Sequence, residues 1–153
     1  MVEKDGETHA IFEKQVARAL DYMAWAPVLF VSAKTHQRVG KLIDLAFTVR
    51  QALDQRVPTS ELNDLVRDGA ARHSPPSKHG KRLRFYYATQ PSIKPPTMVF
   101  FVNDHELVHF SYQRYLENLI RANWDFTGVP LRMHFRDKDQ ILLNQWYKID
   151  IRF

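Results

Sequence analysis

Six consecutive residues with almost no polar interruption, Thr97-Met98-Val99-Phe100-Phe101-Val102, lie between a Pro pair (Pro95, Pro96) and the turn-forming Asn103-Asp104. A run of that length with no alternation predicts a strand buried on both faces, or nearly so. Behind it, Ser111 is placed to cap a helix. Tyr112, Tyr115, Leu116, Leu119, Ile120 and Trp124 then recur at helical spacing and form one apolar stripe. Gln113, Arg114, Glu117, Asn118 and Arg121 fill the opposite face. Strand, short turn and amphipathic helix make a packing unit that most of the second half of the chain must join.

Inside this unit His105-Glu106-Leu107-Val108-His109 spells H-E-x-x-H. On a continuous helix the spacing puts two imidazoles one turn apart with a carboxylate beside them, the arrangement zinc hydrolases use for two ligands and a general base. The usual extension of the motif wants Gly at 112 and His at 115, where this chain has Tyr112 and Tyr115. Phe110-Ser111 also reads as a fresh helix start, after barely one turn from Asp104. Packing by Leu107, Val108 and Phe110, with both histidines near the surface, explains the same letters without a metal. No other nucleophile or phosphate-cradling motif is present. Only Gly40 and Gly80 precede a Lys, and Thr35, Pro75, Leu42 and Arg82 stand where the phosphate loop needs Gly or a hydroxyl residue.

The 153 residues allow one domain or two small ones. No cysteine means no disulfide framework, thiolate nucleophile or Cys-based zinc site. No apolar run approaches membrane-spanning length, and Met1–Gly6 does not read as a signal peptide. A cytoplasmic location with no membrane partner is expected. The net charge of +5 and pI of about 9.6 suit a partner that carries phosphate.

In chain order, Thr8 to Met23 predicts a helix, Pro27 to Val31 a short buried strand, and Gln37 to Gln55 a second helix. After a linker at Gln55–Pro58, Thr59 or Ser60 caps a third helix, weakened by Gly69 near its end. Ser74 to Arg82 is loop-like. Leu83 to Thr89 predicts a strand, Gln90 to Pro96 a turn, and Leu131 to Arg136 a half-buried last strand after the buried strand and capped helix. One extra helical turn fits Asp104–His109. The expected fold class is α/β: a helix–strand–helix segment, then an α+β unit with helices on one face of a three-stranded sheet. The expected divisions are 1–56, 57–139 and an atypical tail, 140–153, whose apolar load suits either an extra strand or foreign sequence. The basic excess falls mostly in the second part. Lys78, Lys81, Arg82 and Arg84 are its densest cluster, directly before Phe85, Tyr86 and Tyr87. Such a cluster grips phosphate while the aromatics stack bases, or else it is a solvated loop ahead of core aromatics.

Five stretches carry a resemblance: V-P-T-S-E-L-N at 57–63, P-P-S-K-H-G-K-R-L at 75–83, Y-Y-A-T-Q at 86–90, P-P-T-M-V-F-F-V-N-D at 95–104 and E-L-V-H-F-S-Y-Q-R-Y-L-E-N at 106–118. In this order they resemble the C-terminal domain of the bacterial ribosome-assembly GTPase family Der, also called EngA. The resemblance covers about 57–137 and implies a KH-like domain. Ala26 to Val39 is similar to the end of that family's second GTPase domain. Ser32, Ala33 and Lys34 would be what remains of its last guanine-recognition loop. The resemblance implies a role with the large ribosomal subunit and its RNA, contact with the upstream GTPase domains, and GTP with Mg2+ for the full-length protein. It implies no cofactor for this chain, which lacks the phosphate loop and main guanine motif and is not expected to hydrolyse GTP alone. Lys78, Lys81, Arg82 and Arg84 are the candidate phosphate contacts. The Gly-x-x-Gly loop of RNA-clamping KH domains is missing: His109-Phe110-Ser111-Tyr112 stands at the matching turn. The family commonly has Pro where this chain has His105. The alternatives are an intramolecular docking domain that binds no RNA, and a zinc hydrolase built on His105, Glu106 and His109.

Overall fold

The computed structural model describes residues 6–78 and 80–139. Helices α1 (Gly6–Ala19) and α2 (Val39–Leu53) come first, with a 3-10 turn at Asp21–Met23 between them. Helix α3 (Thr59–Arg72) follows, then the two-residue strands β1 (Ser77–Lys78) and β2 (Lys81–Arg82), then β3 (Phe85–Ile93) and β4 (Pro96–Val102). A 3-10 turn (His105–Leu107) leads into α4 (Phe110–Asn123), and β5 (Arg132–Asp137) is last. The expected tail, 140–153, lies outside the described residues.

The main sheet has the order β3-β4-β5, with β4 antiparallel to β3 and parallel to β5. Central β4 is buried at every position, as its unbroken apolar run requires. Ala88, Phe100 and Phe135 align across the three strands and face the helices, as do Met98 and Met133. Leu62 and Val66 of α3 and Ile120 of α4 meet them there, so both helices cover the same face. Each large apolar side chain taken fully out of water contributes roughly 1.5–3 kcal/mol. This is the expected α+β arrangement, preceded by a helical segment.

Gly69 does more than weaken α3. A Cβ at this position would stand 2.5 Å from Leu119 Cδ2, so the tip of that half-buried side chain would have to shift. Tyr115 Oη then donates to the Gly69 carbonyl (3.0 Å), and Tyr112 Oη to that of His73 (3.2 Å). Burial pushes the Tyr112 hydroxyl up to about 12. Two carboxamides satisfy backbone that the sheet leaves open. Asn63 accepts from Ala88 N–H and donates to Ala88 C=O, both at 2.8 Å, completing β3 along its outer edge. Buried Gln90 accepts from Val57 N–H (2.8 Å) and donates to Gln55 C=O (3.1 Å), which fixes the entry to α3.

Three expectations are corrected. Residues 27–31 form no regular strand. Among the described residues the nearest strand pairing is a single bridge, Ser32 to Gln37, and neither described sheet includes them. Strand β3 runs through the expected turn to Ile93. Pro91 is tolerated because β3 is an edge strand and its ladder shifts register between Thr89 and Ser92. Ser111 does not cap α4: His109 is the N-cap, and its Nδ1 accepts from Ser111 N–H at 3.2 Å.

Candidate nucleic-acid interface

The basic cluster is built on a hairpin rather than a free loop. Ser77 and Lys78 pair with Arg82 and Lys81, and Gly80 takes a left-handed φ of 76° at the turn. Buried Leu83 roots this hairpin, its N–H donating to Pro76 C=O (2.9 Å) while its side chain joins Val102, Leu107, Tyr112 and Leu116. Asn103, at the end of β4, clamps it from the other side. Its Oδ1 accepts from Arg84 N–H (2.8 Å), its Nδ2 donates to Arg82 C=O (3.0 Å), and its N–H donates to Arg84 C=O (3.1 Å).

Lys78, Lys81, Arg82 and Arg84 are all exposed, and none forms an ion pair among the described residues. Four cations without acids to neutralise them keep a positive field, and backbone anchoring spares part of the entropy of ordering them. Arg84 and Phe85–Tyr87 line a groove of about 360 Å³ against Asn63, Val66 and Arg67 of α3. Tyr86 and Tyr87 are 48% and 40% exposed, so their rings are available rather than core. Lys138 Nζ lies 5.6 Å from the centre of the Tyr86 ring, a cation–π distance. Cations and open aromatic faces thus meet at one end of the sheet. Sequence reasoning missed Asn103, Arg67 and Lys138. A carboxamide directly after a buried strand was the available signal for Asn103. Arg67 and Lys138 are distant in sequence and carried none.

Ser32, Ala33 and Lys34 lie far from this hairpin in sequence, in a tight turn before α2. Ser32 N–H donates to Gln37 C=O (3.1 Å), and Ser32 Oγ accepts from Thr35 N–H (3.3 Å). His36 and Arg38 take left-handed φ values of 54° and 64°.

H-E-x-x-H does not lie on one continuous helix. Val108 is extended (φ −76°, ψ 101°) and breaks the helical phase between the two histidines. His105 sits in the 3-10 turn with Nδ1 2.9 Å from Asp137 Oδ2, while His109 Nδ1 lies 2.8 Å from Ser111 Oγ. Asp104, His105 and Asp137 are close enough together for a cation, but Glu106 and His109 are not among them. The Asp137 carboxylate raises the His105 pKa, chiefly through the side-chain hydrogen bond. Asp137 is in turn lowered, chiefly by the His105 backbone N–H (2.8 Å).

Comparison with known proteins follows the same lines. The profile of the KH-domain-like C-terminal domain of EngA bacterial GTPase enzymes matches residues 56–136, more than half of the chain. The chain belongs to the EngA family. It is 52% identical over 140 residues to the GTPase Der of Desulfitobacterium hafniense strain DCB-2, covering 92% of this chain and 32% of that protein. The GTPases Der of Thermomicrobium roseum (47%, covering 91% of this chain and 30% of the relative) and Symbiobacterium thermophilum (47%, covering 95% and 31%) are similar in extent. The chain thus spans about a third of the length of these EngA relatives. A match of 140 residues exceeds what 56–136 and everything after it contain, so the likeness reaches well into the helical segment. The EngA profile includes the whole hairpin, Asn103 and both tyrosines. Among the described residues no helix is long and apolar enough to cross a membrane.

Proposed function

We propose that this chain is the C-terminal part of a GTP-binding ribosome-biogenesis protein, and that its KH-like part contacts the large ribosomal subunit or its RNA. One observation carries this: four exposed cations, three on the hairpin and Arg84 directly after it, with no ion pair among the described residues, clamped to the sheet beside two part-exposed tyrosine rings, in a chain of the EngA family. Lys78, Lys81, Arg82 and Arg84 would meet phosphates, and Tyr86 and Tyr87 would stack on unpaired bases. With no Gly-x-x-Gly loop, such contact rests on charge and stacking rather than on a backbone clamp.

The division goes with this reading. Residues 1–56 would be the end of a GTPase domain, 57–139 the KH-like domain, and 140–153 an atypical tail. Apolar side chains of α1 and α2, among them Phe12, Ile43 and Phe47, are at least half exposed, as expected if the rest of a GTPase domain packs on them. Ser32, Ala33 and Lys34 would meet the guanine only inside that larger domain, where GTP and Mg2+ belong. The chain alone would not hydrolyse GTP. The action is cytoplasmic. The same exposed faces favour a second reading, in which the KH-like part docks its own GTPase domains and binds no RNA.

Pelleting with isolated large subunits across a salt series separates the two. On the first reading wild type binds in a salt-sensitive way. Replacing Lys78, Lys81, Arg82 and Arg84 by Glu abolishes binding, and the lost slope is about 0.7 per contact to single-stranded RNA. Salt-sensitive binding that survives the replacement overturns the hairpin assignment. No binding by either protein favours docking.

A further inference from the structure

The turn after α1 and the outer face of α4 enclose a second cleft, of about 420 Å³, well away in sequence from the basic hairpin. Its walls carry three aromatic rings. Tyr22 and Phe110 are 75% and 71% exposed, and Trp25 is half-buried. Its floor carries Gln113, Arg114 and Asn118 of α4, whose side chains have no hydrogen-bond or ion-pair partner among the described residues. Arg121, also in the lining, is already committed: it bonds Glu117 and the carbonyls of Phe126 and Val129. The volume is within the range that holds one small planar ligand.

We infer that this cleft receives one unstacked base of a single-stranded RNA segment. The base would lie between Tyr22 and Phe110, with its polar edge on Gln113 and Asn118 and the adjoining phosphate on Arg114. Bases splayed from single strands are bound by aromatic stacking and by hydrogen bonds to their edges, and this lining offers both; Arg114 supplies a cation, Glu117 is taken up by Arg121, and the Asp21 carboxylate also lines the cleft, so the phosphate has to sit on the Arg114 side. A peptide fits worse. An added strand needs a sheet edge with free N–H groups, whereas the lining is helix, turn and Pro130, which has no N–H. A docked amphipathic helix needs a mostly apolar groove, and the α4 wall is polar. The inference rests on the RNA-contact reading above but uses different residues, so the two can fail separately.

The test is fluorescence anisotropy of a labelled oligouridine of about ten nucleotides, titrated with the 153-residue chain. Tyr22→Ala and Phe110→Ala should each weaken binding about tenfold, with the salt slope unchanged. Tyr22→Phe should stay within about twofold, because the stacking face is kept. Arg114→Ala should lower the salt slope by about 0.7. Circular dichroism checks that these variants fold, and both truncated rings are largely exposed. Unchanged affinity in folded Tyr22→Ala and Phe110→Ala overturns the inference, even if Glu replacements in the hairpin abolish binding. Affinity lost in the ring variants but kept in the hairpin variant supports the cleft and sinks the hairpin. A wild-type chain that binds no oligouridine overturns the cleft assignment too and leaves the cleft to a protein partner.

Discussion

The two halves of the molecule have similar helical periodicity but opposite burial. Among the described residues, seventeen apolar residues are buried and only Ala52 of them precedes residue 57, whereas nine of the twelve exposed large hydrophobic residues precede it. The stripes of α1 and α2 are amphipathic too, though more weakly than those of α3 and α4, and among the described residues only the later pair has a sheet to lie on. Amphipathic spacing makes a helix possible; a packing partner is what makes it stable. The comparison teaches that a stripe read from sequence shows which face seeks cover, not whether cover is supplied.

Hydrogen exchange should break this comparison most sharply if it is wrong. Amides of Val99–Val102 should exchange only on global opening, whereas those of Val28, Leu29 and Val31 should exchange much faster. Equal protection in the two stretches would mean that the upstream segment has cooperative structure of its own. A smaller effect is set by side chains. Phe100→Ala should cost about 3–5 kcal/mol in denaturant unfolding, because Phe100 is fully buried among Ala88, Phe135 and Phe85. Phe47→Ser, at 65% exposure, should stay within about 0.5 kcal/mol. Similar losses from both would erase the contrast.

Helix contact in the later half gives the next test. Gly69→Ala should destabilise by up to about 1 kcal/mol, because the push on the Leu119 side-chain tip is set against the helix propensity that Ala gains. Adding Leu119→Ala should recover part of that loss, and simple additivity would show that close approach is not the constraint. The smallest expected effect is in pH. His105 is held above its ordinary value, so the pair's contribution is full below about pH 6.5 and fades as pH rises through the raised pKa. Asp137 is held low, so its contribution is present above the usual carboxylate range and fades as pH falls through the lowered value. The clasp is therefore strongest in mildly acidic solution. In an NMR titration Asp137→Asn should return His105 towards its ordinary pKa, and an unmoved midpoint would remove Asp137 as the cause.

Much of the later half was legible because burial there is complete. The run at Thr97–Val102 has one solution, and the α4 stripe follows from it. What stayed illegible depended on neighbours distant in sequence. Val28–Val31 has strand composition, but none of the described strands pairs with it. Pro91 reads as a turn unless β3 is known to be an edge. His109 and Ser111 are both plausible caps, and the ring won because its Nδ1 reaches the Ser111 N–H. At the candidate interface the four cations were plain in the sequence. The carboxamide that holds them in place was not, since the Asn103 role exists only once β4 ends beside Arg82 and Arg84.

Asn63 has a consequence beyond the one backbone group it completes. A side chain from α3 occupies the outer rim of β3 at its midpoint, so the sheet is closed to newcomers there, while the far rim of β5 has no such plug among the described residues. The sheet therefore has a direction of growth. A fourth strand, whether from elsewhere in this chain, from a larger assembly or from a misfolded neighbour, would have to join beside Arg132–Asp137. Replacing one carboxamide on a helix would make the sheet extensible on both sides.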